Sequence, residues 1–271
     1  MKIERFPYLQ RQLRSSQTKI TRLLKQLSEN KQILSARDDI AGTSVLNNVK
    51  SQLKSLKAAN EKNISQGTSL LDVAYDGVAQ IEEKRKELLA LAVEAKDPLL
   101  APAKRDELVA AFNQGVEDLN QIAESLSYNG KTLLDGTLKI SLQTGANAGD
   151  TLSIKLTSLR ASSLGIDSLS LSSAEAATKS EIMLEAAGSR ISHVFSQINS
   201  LFKSLDFRQS SNELQIENLE EARSNLEDLD VVAATVELSA QQDLYKGQTS
   251  LLSSSLGTQS SLFDLLWRRS Q

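Results

Sequence analysis

The sequence predicts a mainly α protein. Long antiparallel coiled-coil helices come from both chain ends, and a small β-hairpin region lies in the middle. Three observations predict this. Apolar residues recur in steps of three and four over most of the chain. A period of two appears only briefly, around residues 138–156. Proline is scarce, three in 271 residues and none after Pro102. Aromatic content is 4% against 40% hydrophobic, so the core is aliphatic, as suits helix-on-helix packing.

The longest run is Ile191, Val194, Ile198, Leu201, Leu205, Arg208, Asn212, Gln215, Leu219, Ala222, Leu226, Leu229, Ala233, Val236, Ala240, Asp243 and Gly247. It predicts one unbroken seam, roughly 80 Å long at 1.5 Å per residue. A compact domain cannot hide such a rod, so other long helices must cover it. Arg208, Asn212 and Gln215 place polar groups on the seam, where they fix register at a cost in stability.

The other elements follow in order. A first helix, about 7–30, carries Leu9, Leu13, Ser16, Ile20, Leu23 and Leu27 on one face, with Lys19, Arg22 and Lys25 elsewhere. Between 27 and 42, Ser35, Asp38 and Asp39 are capping residues and Gly42 is a breaker, which predicts a kink. A second helix, about 43–95, has a seam that shifts by one position near Leu70-Leu71. The mismatch between 3.6 and 3.5 residues per turn accounts for such a drift. Its Lys84-Arg85-Lys86 run reads as a solvated face. Asp97-Pro98 ends it, and Pro102 opens a third helix with Leu108, Phe112, Val116 and Leu119 on one side. Tyr128-Asn129-Gly130-Lys131 makes a turn. Leu138, Ile140 and Leu142 then alternate, as do Leu152, Ile154 and Leu156, which predicts a hairpin. Its loop, 144–150, is rich in residues that tolerate positive φ. The hairpin region spans about 133–172, and Ser173 starts the long seam.

Net charge is −3, which argues against a nucleic-acid partner. Cysteine is absent, which removes disulfides and thiolate metal sites. No apolar run of about 20 residues is present, so no membrane insertion is expected. The opening Met1 to Pro7 lacks an uninterrupted apolar segment and a small-residue cleavage site, so it does not read as a cleaved signal peptide. Catalytic, cofactor and metal residues are expected to be none. His193, the single histidine, sits beside Val194 on a helix; Asp38 and Asp39 have no histidine or apolar pocket beside them. Gly145 and Gly149 lack the Lys-Ser/Thr that would follow in a phosphate loop. The apolar residues near the chain ends are too many to expose singly. They predict an assembly interface at Leu9, Leu13, Ile20, Leu23, Leu27, Val236, Leu244, Leu251, Leu252, Leu256, Leu262, Phe263, Leu265 and Leu266.

Several segments resemble bacterial flagellin. The stretch from Leu27 to Gly42, with Ser35, Asp38 and Asp39, is similar to the N-terminal signature of that family. Tyr128-Asn129-Gly130-Lys131-Thr132-Leu133-Leu134-Asp135-Gly136 resembles its Phe-Asn-Gly-Lys-x-Leu-Leu-Asp-Gly turn. Gln143-Thr144-Gly145-Ala146-Asn147-Ala148-Gly149 resembles its Gln-x-Gly-Ala-Asn-Ala-Gly loop, and Asn218 to Asp230 resembles its C-terminal acidic segment. The resemblance implies an inner-core domain from residues 1–42 and 230–271, and a helical rod with hairpin from 43–229. It implies a subunit of the extracellular flagellar filament, exported without a cleaved signal peptide. Its partners would be copies of itself, an export chaperone, and cap and hook-associated proteins. The connector from Ser158 to Ser173 leaves no room for variable outer domains, so a minimal form is expected. Departures include Glu29-Asn30 in place of Ser-Gly. The ending Ser260 to Leu266 also resembles the hook-filament junction protein. A secreted coiled-coil adaptor is the alternative from a different class.

Overall fold

A computed structural model describes the backbone of residues 5–268 and the side chains of residues 7–257. The described helices are α1 (Arg5–Glu29), α2 (Ile40–Ala58), α3 (Ser65–Glu94), α4 (Pro102–Ser125), α5 (Ala161–Leu164), α6 (Ala174–Glu227) and α7 (Val231–Arg268). The strands β1 (Ser127–Tyr128), β2 (Lys131–Thr132), β3 (Lys139–Gln143) and β4 (Thr151–Lys155) lie between α4 and α5. They form two antiparallel two-stranded sheets, β1-β2 and β3-β4. The class is therefore mainly α, with a small central β region. The fold has two compact units, residues 52–217 and the residues flanking them on both sides.

In the unit 52–217, α3 and α4 form the hairpin expected from Asp97-Pro98 and Pro102. Leu88 lies against Gly115, and Leu126 against Gly77. α3 meets α6 in antiparallel order, with Gly67 facing Leu205 and Lys96, just past the end of α3, pairing with Glu181 at 2.7 Å. One aliphatic core joins Leu71, Val78 and Ile81 of α3, Phe112 and Leu119 of α4, and Leu184, Ile191 and Ile198 of α6. Leu133, Leu134, Ile154 and Leu156 extend it under the strands. The hairpin has the expected register, with Ile140 opposite Ile154 and Leu142 opposite Leu152. Asn129 and Gly130 both have positive φ, +50° and +74°, which is the demand of a tight two-residue hairpin turn and the reason for an Asn-Gly pair there. Ser173 caps α6 by accepting the Ala176 N–H at 3.1 Å.

Three expectations need correction. The second helix is not one continuous α-helix, although the shift read at Leu70-Leu71 lies within α3, where both leucines are buried. A π-helical turn, Ala59–Ile64, separates α2 from α3. The buried sequence runs Leu56, Ala59, Ile64, Gly67, Leu70, and the step of five is the inserted residue. Nor is Lys84-Arg85-Lys86 a uniform solvated face. Arg85 is buried, donates to both carboxylate oxygens of Glu82 at 2.7 and 2.8 Å, and reaches the Leu184 carbonyl at 3.2 Å. The absence of a side chain at Gly188 leaves room for its guanidinium. Finally, the long seam is broken. α6 ends at Glu227 and α7 starts at Val231. Asp230 caps α7 through the Ala233 N–H at 2.9 Å, and the Leu229 N–H turns to the Asn30 carbonyl at 3.4 Å. Aspartates offer the backbone local partners outside the helix, which is why the break falls at Asp228-Leu229-Asp230.

Candidate assembly surface and signature turns

The flanking unit pairs α1 with α7 in antiparallel order. Gln248 donates to Gln12 at 3.4 Å near one end, and Lys31 bridges to Asp228 near the other. The α1 face is the predicted one. Leu23 is buried, and Leu9, Leu13, Ile20 and Leu27 are half-buried, directly opposite a basic face of Arg11, Arg14, Arg22 and Lys25. These five α1 residues pack within the chain, chiefly on α7.

On α7 the inward face is Ala234, Leu238, Gln241, Tyr245, Gln248 and Leu252. It is offset from the continued seam, so Ala233, Val236, Ala240, Leu244, Gly247 and Leu251 face solvent instead. Val236, Leu244 and Leu251 are 66%, 54% and 61% exposed. Exposed Glu237 and Asp243 flank this row, and Asp243 pairs with Lys246 at 3.5 Å. Leu256 is exposed as well. Leu262, Phe263, Leu265 and Leu266 continue the helix but lie outside the residues with described side chains. One helix thus carries two apolar faces, one covered by α1 and one bare.

The signature segment between α1 and α2 is a set of clasps. Asn30 ends α1 with φ +50°, the left-handed conformation that asparagine tolerates, so it does here what a glycine would. Asp38 accepts the Ser35 N–H at 3.0 Å and the Ser35 hydroxyl at 3.2 Å, and pairs with Arg22 at 3.1 Å. Partial burial pushes its carboxyl up, but the Ser35 N–H and the Arg22 guanidinium outweigh this and hold it below its ordinary value. Asp39 caps α2 through the Gly42 N–H at 2.9 Å. Gly42 is therefore not a breaker but a first-turn residue. A Cβ there would overlap the Asp39 carboxylate that caps the helix. Glu227 closes the segment, bonding Lys31 at 3.0 Å and Lys50 at 2.8 Å. The Lys50 bond, then the Lys31 bond, hold its carboxyl below its ordinary value against partial burial.

The two central motifs are also clasps. Asp135 accepts the Thr132 hydroxyl at 2.7 Å and the Thr137 N–H at 2.8 Å. Burial pushes it up, yet these bonds hold it low. The 144–150 loop, though rich in residues that tolerate positive φ, uses none. Instead the Thr144 N–H donates to the Asp150 carbonyl at 2.7 Å, and the Asp150 carboxylate accepts the Asn147 N–H at 2.9 Å. Gln143 donates to the Gly145 carbonyl at 2.9 Å, and Gly149 is open to solvent. The seam polar groups hold this loop in place. Buried Asn212 donates to the Thr144 carbonyl and the Asn60 side chain, both at 2.7 Å, and Arg208 donates to the Thr144 hydroxyl at 2.9 Å. Sequence reasoning missed Thr144 as the centre of this network. The polar interruptions of the seam were the signal.

Asp38, Asp135 and Glu227 titrate in the fold below their ordinary values of 3.8, 3.8 and 4.5. Each contributes stability that is present above its unfolded value and is lost as pH falls through the lowered native one. The urea midpoint should hold steady from about pH 7 to pH 5 and fall steeply below about pH 4. Glu227→Gln should shallow that acid slope. An unchanged slope would show that the Lys31-Glu227-Lys50 bridge adds nothing.

His193 is exposed on α6, within 3.2 Å of Gln197. Among the described residues no group of three or more His, Cys, Asp or Glu is arranged to hold a metal ion, and no helix is long and apolar enough to cross a membrane.

The chain matches the bacterial flagellin N-terminal helical region over residues 8–139. It is 28% identical over 182 residues to a flagellin of Serratia marcescens, covering 67% of this chain and 51% of that one. It is 30% identical over 174 residues to flagellin E of Vibrio cholerae, covering 63% and 45%. The aligned part thus spans about half the length of these relatives or less. Among solved structures, Bacillus cereus flagellin shares the fold at a TM-score of 0.51 and 21% identity, over 55% of this chain and 88% of that one. A protein from Vibrio parahaemolyticus described as flagellar hook-associated shares it at 0.59 and 11% identity, over 70% and 100%. At these identities the structural likeness concerns the fold alone.

Proposed function

This chain belongs to the flagellin family, and from that premise we propose that it is a structural subunit which polymerises into the extracellular bacterial flagellar filament and so serves motility. The observation that carries this reading is the bare apolar row of α7, with Val236, Leu244 and Leu251 exposed. An amphipathic helix that has already covered one apolar face with α1 has no reason, as a monomer, to keep a second. A second copy gives that face its cover. Contacts between unlike faces of identical copies propagate rather than close, which is how a filament grows. In this reading residues 1–42 and 230–271 form the terminal-helix core of the filament, and 43–229 form the rod outside it. The interface is the exposed set Val236, Leu244, Leu251 and Leu256, continued by Leu262, Phe263, Leu265 and Leu266. The α1 residues Leu9, Leu13, Ile20, Leu23 and Leu27 act indirectly, by holding α7 straight. Export without a cleaved signal peptide, with a chaperone, a cap and hook-associated proteins as partners, belongs to the same reading. The role is structural, not enzymatic.

The test is an electron micrograph of the purified chain at rising concentration. Long filaments are the expected result, and deletion of about the last 20 residues should leave soluble monomers. Small closed particles at every concentration would favour a coiled-coil adaptor and defeat the proposal.

A further inference from the structure

The unit 52–217 has two unlike ends. At one, the α3–α4 turn presents Leu99, which at 90% exposure is the barest large hydrophobic side chain described. The turn is braced from below, because Arg105 donates to the Ala95 and Asp97 carbonyls, both at 2.8 Å. Asp97 accepts the Leu99 N–H at 2.8 Å, and among the described residues its carboxylate forms no ion pair. A tip held this way loses little entropy on docking.

At the other end lies a groove of about 660 Å³ between the 144–150 loop and α6. Its apolar wall is Leu56, Leu152 and Phe207, the last 73% exposed. Lys203 and Arg208 also line it, together with Asp150, whose carboxylate is taken up by the Asn147 N–H and side-chain amide; the groove keeps a net positive charge, and no carboxylate among the described residues pairs with Lys203 or Arg208. The two ends are separated by the span from Glu181 to Leu205 along α6, about 36 Å at 1.5 Å per residue. The tip cannot reach the groove of its own copy.

The geometry points to a second copy as the occupant: the Asp97-Pro98-Leu99 tip of one chain docks in the Phe207 groove of the next. Leu99 meets the apolar wall, and the Asp97 carboxylate meets Lys203 and Arg208. Knob and groove are of opposite charge and on opposite ends, so the contact adds copies in line. This rests on the filament reading and names a contact within it that does not involve α7.

The chain has no cysteine, so introduced ones report cleanly. Filaments of a Leu99→Cys, Phe207→Cys double variant, assembled reduced and then oxidised, should give a ladder of linked chains on a denaturing gel. Each single variant should give no dimer. The two positions in one copy lie far beyond the roughly 7 Å that a disulfide spans, so every link joins copies. Independently, Asp97→Lys should raise the critical concentration about tenfold, and adding Lys203→Asp should restore it. Filaments without a ladder, or a ladder matched by dimers in the single variants, would overturn the tip-in-groove contact while leaving the filament reading intact. If the double-cysteine chain does not assemble, the charge swap decides: no loss with Asp97→Lys, or no rescue, overturns the contact. Failure of the unaltered chain to form filaments would remove both.

Discussion

A chain carrying Leu244→Glu and Leu251→Glu should fold as the parent does and fail to polymerise. Both leucines are on the solvent face of α7 and more than half exposed. Glutamate has nearly the helix propensity of leucine, so the α1–α7 pair should lose no more than about 0.5 kcal/mol, the usual range for surface substitutions. The filament should lose far more. Burying a leucine is worth about 1.5–3 kcal/mol, and each glutamate would have to be desolvated without a partner, which costs more again. Even about 4 kcal/mol in total raises the critical concentration by roughly three orders of magnitude at 1.4 kcal/mol per decade. Sedimentation over a concentration series gives that value, and a circular dichroism melt reports the monomer. Normal assembly of the double variant would show that this face is bare in the filament too, and the interface would have to be sought elsewhere. A lowered melting temperature together with lost assembly would point to a structural part for these leucines in the α1–α7 pair.

The same face shows where sequence reading stopped. Periodicity placed a row through Ala233, Val236, Ala240, Asp243 and Gly247, and those positions share one exposed side of α7. Its exposure was not legible, because α7 carries a second row at Ala234, Leu238, Tyr245 and Leu252, and spacing alone does not say which one a partner covers. Rows match on either side of Asp228-Leu229-Asp230, so the break between α6 and α7 left no gap in the pattern. The π turn was hidden for a related reason. Asn60 and Asn63 keep a three-four spacing between Leu56 and Gly67, so the pattern carries no sign of the residue inserted between Ala59 and Ile64. Strong local chemistry was legible throughout. Proline opened α4, Ser173 capped α6, and Asn129-Gly130 turned β1 into β2. The signature motifs were visible as motifs but not as clasps. Asp38, Asp39 and Asp135 act on backbone N–H groups within a few residues, and carboxylates that close turns carry no periodic signal.

Asn212→Leu should cost the unit 52–217 about 3 kcal/mol, although the substitution is nearly isosteric and puts an apolar residue on a largely apolar seam. Asn212 is 4% exposed and is the donor to both the Thr144 carbonyl and the Asn60 side-chain oxygen. Leucine leaves the Thr144 carbonyl buried without this donor and the half-buried Asn60 oxygen without it too, and an unpaired buried polar group costs about 1–3 kcal/mol. Hydrophobic gain at the seam cannot offset this, because the side chain is already out of water in either case. For a unit of this size 1 kcal/mol is roughly 2–4 °C, so the melting temperature should fall by about 6–12 °C. Hydrogen exchange should locate the damage. The Thr144 and Asp150 amides, which close the hairpin loop, should lose protection, whereas those of α4 should not. Ser210→Ala, exposed on the same helix, is the control and should leave the melt unchanged. A melt within about 2 °C of the parent would mean that water already satisfies these acceptors, and that the polar seam positions set register without holding the loop. A large loss makes Asn212 the residue that ties α6 to the 144–150 loop. The same substitution would then unseat one wall of the Phe207 groove and raise the critical concentration for assembly.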